Sequence, residues 1–116
     1  MTQGSLITVA ETAAFEARAK TRLSAEEKTQ VIELLAADPK AGLVMRETGG
    51  IRKLRFATQG KGKSGSVRIV YYFYNETMPV FLLTVFAKKE KDNLTSDERR
   101  KLKNLVVAIR RTYGAD

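Results

Sequence analysis

Pro79 to Ala87 reads PVFLLTVFA, a strand-length run with no polar face. Both of its alternating faces are apolar, so it reads as a strand covered on both sides. Two further strand candidates precede it. In Ile51–Thr58, Lys53, Arg55 and Ala57 share one face while Leu54 and Phe56 point the other way. In Val67–Tyr74, Arg68, Val70, Tyr72 and Tyr74 lie opposite Ile69, Tyr71 and Phe73. Asn75-Glu76-Thr77-Met78 suits a hairpin loop, which makes the last two strands antiparallel neighbours. Gly49-Gly50 breaks the chain before the first of the three.

The remaining segments are helical, apart from a short N-terminal strand expected at Ser5–Ala10 (SLITVA). Thr12–Lys20 is alanine-rich. Ser24-Ala25-Glu26-Glu27 has the S-x-x-E form of a capping box, in which the serine oxygen and the glutamate satisfy orphan helix amides. The helix it opens places Val31, Ile32 and Leu35 on one face and should close at Asp38-Pro39. Thr95-Ser96-Asp97-Glu98 repeats the box, and Leu102, Leu105, Val106 and Ile109 follow as a stripe expected to be buried. The element order β-α-α-β-β-β-α predicts an α+β fold: a small, mostly antiparallel sheet with an N-terminal helical hairpin and a C-terminal helix.

At 116 residues the chain reads as one domain, residues 1–116. It has no cysteine and no histidine. Disulfides are therefore excluded, no metal or other cofactor is expected, and acid–base chemistry near neutrality would fall to Lys, Arg, Tyr or a carboxylate. Neither a charged leader nor an apolar run long enough to span a bilayer is visible, so a soluble cytoplasmic protein without membrane contact is expected. The net charge of +8 points to a polyanionic partner.

The cations are grouped. Between Ile51 and Asn75 the chain has no acid, yet it carries Arg52, Lys53, Arg55, Lys61, Lys63 and Arg68. Lys53, Arg55 and Arg68 project from strand faces, and Lys61 and Lys63 ride the glycine loop TQGKGKSGS. Lys88, Lys89 and Lys91 follow the last strand. Three basic sets bordering one surface suit a phosphodiester backbone, with Tyr71, Tyr72 and Tyr74 as rings able to stack on bases, although core packing is the default for Tyr71. A solvated sheet face guarded against edge pairing has the same composition, and the glycine loop also reads as a flexible solubilising segment. It is not a phosphate-binding P-loop, because no Gly-Lys-Ser/Thr stands at the required spacing before a helix.

GGIRKLRFA, GKGKSGSVRIVYYFY and VFLLTVFAKKEKDNLT together resemble the RelE/ParE toxin superfamily, and within it the HigB-like branch of type II toxin–antitoxin toxins. The resemblance runs from Leu6 to about Ile109. It implies a ribosome-dependent, metal-independent mRNA endonuclease that inhibits translation. It also implies neutralisation by a cognate antitoxin with a helix-turn-helix DNA-binding pattern. Carried over by position, the catalytic set is Lys53, Arg55, Arg68, Lys89 and Lys91, with Lys88 flanking it. Lys61 and Lys63, on a loop longer than in RelE proper, have no family position; with Lys88 and Tyr72 they are the residues expected to meet RNA or the ribosome.

The implied chemistry is attack of an RNA 2′-OH on the adjacent phosphorus. Arg68 and Lys89 would stabilise the phosphorane, and Lys53, crowded by other cations, would serve as the base. Glu90 is a second candidate base or else a structural ion pair. Thr95 stands where RelE relatives often carry a tyrosine. Two alternatives stay open: a ParE-like inhibitor of DNA gyrase, against which Lys53, Arg55 and Arg68 argue, and a non-catalytic nucleic-acid-binding module.

Overall fold

The computed structural model describes residues 6–59, 65–91 and 93–114. The apolar run becomes strand β5 (Val80–Ala87), inside a five-stranded mixed sheet. In chain order the elements are β1 (Val9–Glu11), α1 (Ala13–Arg22), α2 (Ala25–Ala37), β2 (Leu43–Val44), β3 (Ile51–Thr58), β4 (Gly65–Tyr72), β5 and α3 (Ser96–Thr112). Across the sheet they run β1-β5-β4-β3-β2, with β1 parallel to β5 and every other pair antiparallel. This is the expected α+β architecture with one addition, the two-residue β2.

Both faces of β5 are indeed covered. Val80, Leu82 and Val85 join Val67, Ile69 and Tyr71 of β4 against Phe15, Ala19 and Leu23 on the α1 side and Val31 and Leu35 of α2. Leu83 and Phe86 face the other way with Ile51, Val70 and Tyr72, under Val106 and Ile109 of α3. The partner of β4 jumps from Thr84 at Val70 to Leu82 at Tyr71. Leu83 is thus the extra residue of a bulge, which lets a run without strict alternation serve two cores.

Local chemistry places the helix ends. Thr12 caps α1 by accepting from Phe15 N at 3.2 Å. Both expected capping boxes form: Ser24 Oγ accepts from Glu27 N while Glu27 Oε1 accepts from Ser24 N, and Thr95 and Glu98 repeat the exchange. Glu27 is buried, and its second oxygen accepts from Gln59 N at 2.7 Å, tying the end of β3 to α2.

β2 depends on a distant tyrosine. Tyr71 Oη accepts from Gly42 N at 2.8 Å and donates to Pro39 O at 2.9 Å, holding the α2–β2 link against β4. A Cβ at Gly42 would lie 2.8 Å from Lys53 O and 2.9 Å from the Tyr71 ring, so only glycine fits there. β2 can then pair Leu43 with Lys53 and Val44 with Arg52.

Some expected boundaries move. β1 starts at Val9 and lasts three residues before Thr12 turns the chain into α1; Ser5 lies outside the described residues. β4 ends at Tyr72, leaving Tyr74 exposed beyond it. In α3, Val106 and Ile109 are buried and Leu102 packs beside them, but Leu105 is 37% exposed. The helix touches the sheet along a narrower seam than the expected stripe, with Leu105 on its rim. Among the described residues no helix is long and apolar enough to cross a membrane.

Candidate functional site

The face that carries Ile51, Val70 and Tyr72 is covered by α3 at one end only. Toward the far end of the β3–β4 hairpin the same face returns to solvent, where Arg55 is exposed and Lys53 and Arg68 are half-buried. The strand register brings the three together. Arg55 of β3 is the direct partner of Arg68 of β4, and Arg68 is the partner of Phe86 of β5. Lys53 lies one same-face step from Arg55, paired with Val70.

Two arginines directly opposite each other in a sheet repel and destabilise it. Among the described residues neither makes an ion pair with a carboxylate, nor do Lys53, Lys88 or Lys89. The acceptors that two of these cations do reach are neutral: Arg68 Nη1 donates to Ser66 Oγ at 3.2 Å and Lys53 Nζ to Asn93 Oδ1 at 3.1 Å. Ser66 follows the same alternation as Arg68 and was legible in principle; nothing in the sequence marks Asn93. An unneutralised cationic surface of this kind favours an anion.

The third basic set divides. β5 ends in register with Val67, next to Arg68, so the turn after it brings Lys88 and Lys89 to the border of the site, both exposed. Lys91 is different. Its ammonium pairs with Glu98 and lies 5.2 Å from the centre of the Phe86 ring. That hydrogen bond, with Thr95 N–H next, holds the Glu98 carboxyl below its ordinary range. Lys91 therefore fastens the turn to the start of α3, and its charge is already matched.

Glu90 makes the structural ion pair. Arg22 grips it with two bonds, Nε to Oε1 at 2.8 Å and Nη2 to Oε2 at 2.7 Å. That grip, with a bond from Ala87 N–H and the nearby Arg18, lowers its carboxyl to about 2. A carboxylate held so low is a poor base near neutrality. A depressed acid contributes stability above its unfolded value and loses it as pH falls through the folded one. Glu90 should therefore stabilise the fold above about pH 4.5 and cease to do so by about pH 2. Because the side chain is 34% exposed, screening reduces this to about 1 kcal/mol. Glu90→Gln should lower urea stability by that amount at neutral pH, with the gap closing near the acid limit.

Tyr72 corrects an expectation. It shares the face of Arg68 as the alternation requires, but α3 covers that end, leaving the ring 1% exposed. It cannot stack on a base. Burial also pushes its phenol above the ordinary value, so it stays neutral. Tyr74, outside the strand, is the accessible ring, stacked on Tyr72 at 6.5 Å and covered by the Arg110 guanidinium at 4.7 Å. Arg52 leaves the set as well, since Nη1 donates to Gly42 O at 2.7 Å. Lys61 and Lys63 lie outside the described residues. Among the described residues no three His, Cys, Asp or Glu side chains form a group able to hold a metal ion.

The sheet, with the helical hairpin on one face and the single helix on the other, agrees with the fold that the resemblance implies. Residues 7–113 match the family described as the RelE toxin of the RelE/RelB toxin–antitoxin system, and the chain belongs to that toxin family.

Proposed function

We propose that this protein is a ribosome-dependent mRNA endonuclease of the HigB-like branch, which stops translation until a cognate antitoxin binds it. The observation that carries this reading is the in-register pair Arg55–Arg68, two like charges on a solvent-open sheet face without a carboxylate partner among the described residues. Such a pair costs folding stability, and a scissile phosphate would offset the repulsion.

In the proposed reaction the RNA 2′-oxygen attacks phosphorus and the bond to the 5′-oxygen breaks. The products are a 2′,3′-cyclic phosphate and a 5′-hydroxyl. Arg55 and Arg68 stabilise the negative charge of the phosphorane, each donor being worth roughly 10²–10³ in rate. An arginine stays protonated throughout, so Lys53, whose Nζ is oriented by Asn93, takes the proton of the 2′-hydroxyl and returns it to the departing 5′-oxygen. Lys88 and Lys89 bind the flanking backbone. Lys91, expected among the catalytic residues, instead positions the turn, because Glu98 occupies its ammonium. In-line geometry is supplied by the ribosome, so a small open face would suffice.

Three parallel incubations test the proposal: programmed ribosomes, the same mRNA free in solution, and DNA gyrase with supercoiled substrate. Cleavage confined to the first is expected. Gyrase inhibition would favour the ParE-like alternative, and RNA binding without cleavage the non-catalytic one.

A further inference from the structure

The turn carrying Lys88 and Lys89 is held in place by α1, a helix that contributes none of the cations proposed to meet RNA. Lys88 N donates to Ser66 O at 3.1 Å, and Ser66 Oγ accepts from Arg68, so the turn starts from an anchor shared with the arginine pair. The chain then doubles back, with Glu90 N donating to Ala87 O at 3.0 Å. The Glu90 carboxylate closes the turn by accepting from Ala87 N at 2.6 Å while Arg22 grips both of its oxygens. Arg18 Nη2 stands 3.7 Å from Oε2 and is itself fixed, because its Nε donates to Val85 O at 2.8 Å.

This arrangement exceeds what ending a strand requires. Water could satisfy the Ala87 amide and the Glu90 carboxylate, and a partly exposed ion pair adds little stability. A planar guanidinium bound through two parallel donors instead fixes direction as well as distance. Adjacent lysines repel each other, so a turn bearing Lys88 and Lys89 would spread if it were free. On the opposite side Lys91 is bound to Glu98. The turn is therefore clamped from both layers, with its first two cations, Lys88 and Lys89, left open to a ligand.

We infer that Arg22, acting through Glu90, is a positioning residue for the Lys88–Lys89 turn, setting where these ammonium groups meet the RNA backbone without touching it. The inference rests on the proposed function of the arginine face. A displacement near 1 Å at a reacting phosphate costs on the order of 10²-fold in rate. Arg22→Ala has a second effect: it releases the Glu90 carboxylate beside the two lysines. It should lower single-turnover cleavage on programmed ribosomes about 10- to 100-fold, with a change in ribosome affinity several-fold smaller. Arg22→Lys, which keeps the charge and loses the fork, should recover part of the rate.

A double-mutant cycle separates positioning from general support. Arg22→Ala should lower the rate strongly in the wild-type background and hardly at all once Lys88→Ala and Lys89→Ala are present. Equal fold-losses in the two backgrounds, or a wild-type rate for Arg22→Ala, would overturn the inference. If Arg22→Ala does not fold, Glu90→Gln provides the same cycle, since it leaves one oxygen acceptor and breaks the two-oxygen grip. A wild-type protein that cuts nothing on ribosomes would instead sink the functional reading beneath it.

Discussion

Replacing Arg68 with alanine should slow cleavage of ribosome-bound mRNA by about 10²–10³-fold and leave the protein as stable as wild type, within about 0.5 kcal/mol. The two halves of this result come from the same geometry. Arg68 lies directly opposite Arg55, so its removal relieves a repulsion that the fold otherwise bears. The losses are the bond to Ser66 Oγ and contact of the aliphatic stem with its neighbours, which are of similar size and opposite sign. If the phosphorane gathers its charge between the two guanidiniums, the rate depends on the pair while folding does not. Single-turnover cleavage and urea unfolding on the same preparation give both numbers. Wild-type cleavage by the variant would remove Arg68 from the mechanism, and a rate loss matched by unfolding would make it structural.

Phe15→Ala should destabilise the protein by about 3–5 kcal/mol. Phe15 is 0% exposed in the core between the helical hairpin and the sheet, three residues before Arg18 and seven before Arg22. Truncation leaves a cavity at the point where α1 is seated on β5. Domains of this size are stable by about 5–15 kcal/mol, so the loss is a large fraction of the total. With a urea slope of about 1–3 kcal/mol per molar, the midpoint should fall by 1 M or more. Cleavage should fall further than the unfolded fraction accounts for, since the clamp on the lysine turn hangs from the same helix. A midpoint shift of only a few tenths molar would mean that α1 is not packed as described.

What could be read in the sequence was local or periodic. The boxes at Ser24/Glu27 and Thr95/Glu98 lie within one helical turn, and both form. Alternation placed Lys53 and Arg55 on one face of their strand and Arg68 on one face of the next, and the register makes Arg55 and Arg68 direct partners. What failed to show was whatever depends on a distant partner. β2 is two residues long and rests on Tyr71, twenty-nine positions from Gly42. Tyr72 was assigned to the correct face, but alternation does not say which end of a face a helix will cover. Lys91 looks like Lys88 and Lys89 in the string KKEK, and only Glu98 across the fold distinguishes it. Arg22 and Glu90 are 68 positions apart, with no pattern connecting them.

On the proposed mechanism an arginine-lined sheet face cuts RNA by attack of the RNA's own 2′-hydroxyl. The most direct measurement is the chemistry of the new ends when the protein acts on mRNA in programmed ribosomes. The upstream fragment should end in a 2′,3′-cyclic phosphate, or the 3′-phosphate formed from it, and the downstream fragment should begin with a 5′-hydroxyl. Ends bearing a 3′-hydroxyl and a 5′-phosphate would contradict the account, because water rather than the 2′-oxygen would then have attacked.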